Sequence, residues 1–336
     1  MTDLLALPFM QRALIAALFT GLAAPVVGTY LVQRRLALMG DGLGHVAVTG
    51  VALGLWTGAA PTWTAVLVAV VGAVLIEVIR ERGHTSGDVA LALLFYGGIA
   101  GGILITGLAG QSATTLNQYL FGSLTTLAVG DVWFTIALAA VVVVLGVGLA
   151  PQLFTVAQDQ DFARVAGLRV RGYNLLVAVL AAVTVTVAMR TVGLLLVSAL
   201  MVVPVATSQQ VMRTFRRTMA LAVALGVGAS VGGLLLAAYL SVAADLTVAT
   251  GPTIVLLALA CFALTWPIGS WLRHRERARS PFPEVPGEEE VVVAASAHPH
   301  QHGPDCGHPA IRHGDHVDYV HDGHRHAPHE EHYDEH

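Results

Sequence analysis

The chain contains no lysine: all 18 of its basic residues are arginine. A phosphate-binding loop of the Walker type needs a lysine to reach the terminal phosphates. The chain is therefore not by itself such an ATPase, and any energy from ATP has to come from a partner. Charge is scarce as well. Only 12% of the 336 residues are charged and 55% are hydrophobic, with a mean hydropathy of +0.69. Those values exclude an ordinary soluble domain and describe a polytopic membrane protein in contact with lipid. There are two cysteines, Cys261 in an apolar run and Cys306 near the C-terminus. They are too few for a disulfide framework, and no structural disulfide is expected. No H-E-x-x-H occurs, so helical zinc-hydrolase chemistry has no support. No nucleic-acid partner is expected. Residues 1–9 carry an acid and no basic cluster ahead of a long apolar run, which reads as a retained first helix rather than a signal peptide.

The charges present are unevenly divided. Residues 1–279 hold 16 Arg against 10 acidic residues, net +6, whereas 280–336 hold 2 Arg against 12, net −10. Two parts are expected: a transmembrane domain over 1–279, and a cytoplasmic His- and acid-rich tail over 280–336. The tail is rich in Pro, Glu and His and poor in apolar periodicity, and it is expected to be disordered.

A membrane span needs about 20 apolar residues. Such runs lie near 9–32, 38–57, 63–79, 89–108, 131–150, 174–189, 192–210, 218–240 and 252–272. The fold expected is an all-α bundle of eight or nine transmembrane helices. The count turns on 174–189 and 192–210, which only Arg190 and Thr191 separate. Segment 109–130 is too polar to span and reads as interfacial or re-entrant. Arginine-bearing loops around residues 34, 80, 164–171, 213–217 and 273–279 alternate with loops nearly free of charge. By the positive-inside bias the former, and the tail, are assigned to the cytoplasm. Asp245, in an outer loop, is a candidate contact for a delivery protein. Glu77 and Arg80, three apart, read as a local ion pair.

Glycines recur at helix-packing spacing: Gly40/Gly44, Gly50/Gly54/Gly58, Gly98/Gly102 and Gly228/Gly232. In lipid such small-residue faces let helix backbones approach closely. The densest case also carries Asp41 and His45. At i and i+4 these two share one helix face, and ionisable residues in a span are costly enough to mark function. A carboxylate with an imidazole suits Zn, Mn, Fe or Ni. The alternative is a buried pair locking two helices together. Two ligands do not complete a site, so another helix or a second copy of the chain must supply the rest. Pro204, inside a span, kinks its helix or opens it so that Ser198 or Thr207 lines a pathway. The loop from Asp159 to Val170 reads as a short amphipathic helix able to dock on another protein, or as an ordinary charged connection.

Five blocks, in order, carry a resemblance: Arg34 to His45 with Gly50; Tyr119-Leu120-Phe121-Gly122-Ser123; Asp159 to Leu168; Val192 to Thr207; and Gly251-Pro252-Thr253-Ile254-Val255-Leu256. Over about residues 9–272 the chain resembles the membrane permease of bacterial zinc/manganese ABC importers. The resemblance implies a homodimeric permease in the bacterial cell membrane and a separate ATPase subunit on its cytoplasmic face. It also implies an extracytoplasmic metal-binding protein that delivers the ion, and a non-enzymatic role for this chain. Asp41 and His45 match the family's intramembrane metal positions. Asp159, Asp161, Ala163 and Gly167 match the helix that couples to the ATPase. Gln158 and Gln160 depart from the family's usual aromatic residue and proline. Gly42 and Gly44 stand where Ala and Ser are common.

The tail lies outside the resemblance. Twelve of the 15 histidines fall at or after residue 298. Among them His298, His300, His302, His308, His313, His316, His321, His324 and His326, with Cys306, are candidate metal ligands. Imidazoles at such spacings wrap a borderline metal in several registers. A solvated or pH-responsive tail is the alternative. The function expected is ABC import of a divalent transition-metal ion, zinc before manganese, iron or nickel, with no permanently bound cofactor. A proton-coupled carrier acting alone is the competing class.

Overall fold

The computed structural model describes residues 6–82, 87–110, 122, 127–243, 248–279, 291–294, 302–303, 305–313, 316–321, 324–329 and 332–335. Most of expected segment 109–130, together with Asp245, His298 and His300, lies outside them. The chain divides into two compact units, Met1–Trp271 and Leu272–His336.

The helices run α1 Pro8–Gln33, α2 Met39–Thr57, α3 Pro61–Glu81, α4 Gly87–Leu108, α5 Val129–Gly148, α6 Ala150–Gln158, α7 Gln160–Val165, α8 Val170–Val192, α9 Leu194–Val211, α10 Phe215–Ala243 and α11 Thr250–Arg279. Proline opens α1 and α3, where its missing N–H is not needed and its fixed φ suits the first turn. Gly58, at φ 71°, ends α2 in the left-handed conformation.

Among the described residues, seven helices are long and apolar enough to cross a membrane, namely α1, α3, α4, α5, α8, α10 and α11. The eight or nine expected from sequence differ from this by α2 and α9. Helix α2 has 19 residues, and Asp41, His45 and five glycines dilute its apolar character. The side chains described in α9 form a shorter apolar helix, Leu196–Val211. The run 174–210 is two elements, broken at Gly193 with φ 96° and ψ 151°, a backbone region essentially reserved for glycine. The run 131–150 instead closes at Gly148, and α6 begins after Leu149 as a separate helix.

Helices α1 and α8 are the most enclosed of the seven, and α11 the least. Helix α2 packs chiefly on α4 and α3, and further on α8 and α9. The glycine pattern explains how. A Cβ added at Gly50 would stand 2.6 Å from the Ala65 Cα, and one at Gly98 would stand 2.7 Å from both the His45 carbonyl carbon and the Val46 nitrogen. These are backbone-to-backbone approaches that no larger residue permits. Gly58 and Gly228, also part of the pattern, meet nothing within 4 Å, so spacing alone overstates the packing face.

In the second unit, five strands form an antiparallel sheet in the order β1-β5-β4-β3-β2, with β1 Val291–Ala294, β2 Ala310–His313, β3 His316–His321, β4 His324–His329 and β5 His332–Glu335. Over these strands the described residues depart from the disorder expected of the tail. The register pairs His313 with His316, His321 with His324 and His329 with His332. Two residues separate the members of each pair along the chain, and in the sequence one such dipeptide is Asp322-Gly323, a strong hairpin signal. The eight-residue repeat of His-x-x-His therefore marks successive hairpins, a signal that composition hides.

Candidate functional site

Asp41 sits in the first turn of α2 and His45 one turn later. Their side chains lie 3.9 Å apart, His45 Nε2 to Asp41 Oδ2, and remain 13% and 27% exposed. They are neither locked into a tight pair nor sealed in the core, as a purely structural pair would be. The Ser198 hydroxyl, on α9, donates to Asp41 Oδ1 at 3.4 Å and also to the Leu194 carbonyl at 3.3 Å. Thr207 bonds its own helix at the Val203 carbonyl, 2.7 Å away. Of the two hydroxyls considered beside Pro204, it is thus Ser198 that reaches the site. Pro204 lies inside α9 without ending it.

The rest of the surround was not legible from the motif. The Phe95 ring stands edge-on to His45, with centroids 4.5 Å apart. Thr49, one turn beyond His45, donates to the Gly98 carbonyl at 2.7 Å. Close to the Asp41/His45 turn, a Cβ at Gly44 would fall 1.6 Å from Leu194 Cδ1, so α9 begins directly against the site helix. Helices α4 and α9 thus fix the α2 backbone on two sides and leave the carboxylate and imidazole reachable. Oxygen and nitrogen donors one helical turn apart can hold a divalent cation transiently, with its other positions filled by water or by groups from elsewhere.

The loop from Asp159 to Val170 is the second candidate site. Asp159 caps α7, its Oδ1 accepting from the backbone N–H groups of Asp161 and Phe162 at 2.9 Å each. Asp161 pairs with Arg164. Gly167, at φ 79°, turns the chain after α7. Ala163 is fully buried, in a small cluster with Val156 and Val170. The small residue thus seats α7 on its own chain, while Phe162 and Val165 are 62% and 89% exposed. Ala163, matched in sequence to a coupling helix, faces inward, and the exposed face of α7 carries Phe162 and Val165.

Beside α7 is a cleft of about 330 Å³ whose lining includes Glu81, Gln160, Arg164, Arg169 and Asn174. Glu81 joins its two walls by accepting from Arg171 Nε at 3.0 Å. Deeper, Glu77 accepts from Arg80 at 2.9 Å, the pair expected from sequence, and from Arg34 at 3.0 Å, which was not expected. Burial lowers the pKa of the Arg34 guanidinium, and the Glu77 carboxylate opposes that shift. The end of α1 and the last turns of α3 are thereby tied through one buried carboxylate.

In the second unit the structure brings together His302, Cys306 and His308. His326 lies beside His302. Only the backbones of His313, His316, His321 and His324 are described, each at a strand end.

Residues 6–267 match the family model described as the ABC 3 transport family. The chain belongs to that family. The ABC 3 chain is 33% identical over 236 residues to a probable metal transport system membrane protein of Treponema pallidum, covering 70% of this chain and 88% of that protein. It is 30% identical over 272 residues to the manganese import system permease protein ScaB of Streptococcus parasanguinis, covering 81% and 95%. Among solved structures it is similar to a chain of PsaBC from Streptococcus pneumoniae in complex with Fab, with a TM-score of 0.71, 28% identity and coverage of 82% and 98%. The resemblance read from the five blocks is borne out: this is a multi-pass metal-transport ABC permease subunit.

Proposed function

We propose that the chain is the membrane permease of a homodimeric ATP-driven importer for a divalent transition-metal ion, and that Asp41 and His45 hold the ion in transit. The observation that carries this reading is the placement of a partly exposed carboxylate and imidazole 3.9 Å apart on a helix whose backbone is clamped by α4 and α9. Helices α2 and α9 lie within the bilayer together with the seven longer helices. One chain offers two strong ligands, so the two-fold axis of a dimer supplies a second pair. The arginine-bearing loops and the C-terminal unit lie on the cytoplasmic side.

An ATPase subunit docks on the exposed face of α7, with Asp159 and Gly167 holding that helix in shape and Ala163 seating it. An extracytoplasmic metal-binding protein delivers the ion on the opposite side. The tail that pointed to zinc lies beyond matched residues 6–267. The manganese named for relatives such as ScaB therefore carries the reading of the cargo, with zinc as the competitor; one carboxylate and one imidazole accept either.

The test is reconstitution into liposomes with and without the partner ATPase, with Mn2+ and Zn2+ uptake measured singly and in competition. Uptake that requires the ATPase and ATP supports the reading. Uptake by the permease alone, driven by a proton gradient, refutes it.

A further inference from the structure

The C-terminal unit contains a convergence of donors apart from the proposed transport pair Asp41 and His45. His302, Cys306 and His308 each offer one ligand atom, and these atoms all lie within 4.8 Å of one another. The Cys306 Sγ to His302 Nδ1 distance is 3.8 Å. A tetrahedral zinc ion with Zn–S of about 2.3 Å and Zn–N of about 2.0–2.1 Å sets its sulfur and nitrogen ligands roughly 3.5 Å apart, so the observed spacing is near that of a loaded site.

The arrangement is built by the backbone. Cys306 N–H donates to the Gly303 carbonyl at 3.1 Å, closing a turn. Gly307, at φ 77°, reverses the chain between Cys306 and His308, a conformation that side chains resist. The turn rests on the sheet: the buried His302 ring stacks on Tyr319, 5.6 Å between centroids and 9° between planes. It also lies 5.0 Å from the His326 ring. Tyr319 and His326 are cross-strand partners of β3 and β4, so one rung of the sheet fixes the first ligand.

We propose that the C-terminal unit is a zinc-binding module in which His302, Cys306 and His308 hold one Zn2+, a site made by residues other than Asp41 and His45. A thiolate with two imidazoles selects zinc, or cobalt as its stand-in, and disfavours manganese, which prefers oxygen ligands. Binding displaces the Cys306 thiol proton to solvent, one per ion, as the sulfur becomes a thiolate ligand. Three protein ligands leave the fourth position open, as in zinc sites that exchange a water or another ligand rather than in closed structural ones. Because the ligands come together only in the folded turn, the ion stabilises the unit by linkage.

The test uses the full-length protein in detergent under reducing conditions. Titration with Co2+ is expected to give a thiolate-to-cobalt charge-transfer band saturating at one ion per chain. Zn2+ abolishes the band and Mn2+ does not. The band is lost in Cys306→Ser and retained in Cys261→Ser. It is retained as well in Asp41→Ala/His45→Ala, which separates a failure here from a failure of the transport site. Independently of any variant, Zn2+ slows alkylation of Cys306 by about tenfold or more, because a metal-bound thiolate is no longer a free nucleophile. No thiolate band, a band that survives Cys306→Ser, displacement by Mn2+ as effective as by Zn2+, or an alkylation rate unchanged by Zn2+ would each overturn the proposal.

Discussion

Gly98→Ala tests whether the α2–α4 contact sets the proposed transport site. A Cβ at residue 98 would stand 2.7 Å from the His45 carbonyl carbon, 2.7 Å from the Val46 nitrogen and 3.0 Å from the His45 carbonyl oxygen. Ordinary van der Waals contact begins near 3.4 Å. The helices must therefore separate by roughly 0.5–1 Å at the residue that carries the imidazole, since backbone cannot rotate away as a side-chain tip can. The same shift strains the Thr49 bond to the Gly98 carbonyl, now 2.7 Å. Overpacking of this kind costs about 1–3 kcal/mol, a factor of roughly 5 to 150 in an equilibrium constant. Gly97 is the internal control, because a Cβ there meets nothing within 4 Å. Thermal unfolding in detergent and ATP-dependent uptake are compared for the two variants. Gly98→Ala is expected to melt earlier and to lose most uptake, and Gly97→Ala to match the parent. Equal stability and uptake in the two variants would refute the argument that backbone contact at Gly98 holds the site helix.

Three further outcomes follow from the geometry. Glu77→Gln removes the carboxylate shared by Arg34 and Arg80, leaving the Arg34 side chain, 4% exposed, without its charge partner. Thermal unfolding is expected to show a loss of about 3–5 kcal/mol, against less than about 1 kcal/mol for Glu81→Gln, whose pair with Arg171 is exposed. Asp159→Ala deletes the cap of α7, a loss of about 1 kcal/mol, and is expected to raise the number of ATP molecules hydrolysed per ion imported, while expression is retained. Ser198→Ala removes a long, weak bond to Asp41 and is expected to raise the uptake KM by only about 2- to 10-fold, with kcat within a factor of about two of the parent.

The helical bundle was legible because spanning helices need apolar runs of fixed length, and Asp41 and His45 stood out because charge within such a run is costly. Long-range partners were not legible. Nothing local pairs Arg34 with Glu77, brings Phe95 to His45 or sets Gly44 against Leu194, since each depends on how separate helices dock. The buried position of Ala163 follows from the turn at Gly167 and the cluster with Val156 and Val170, not from residue size. The strands of the tail were not expected for a different reason. Its composition is that of a solvated segment, but its His-x-x-His units recur every eight residues, and strand register is carried by such spacing rather than by average polarity.

The most direct measurement of the central claim is ATP-dependent metal uptake by Asp41→Ala/His45→Ala, assembled with the proposed ATPase and delivery protein and scored beside co-purification of the complex. The account predicts an intact complex that still binds and hydrolyses ATP but imports no ion above background. An intact complex that imports manganese or zinc at the parental rate would contradict it.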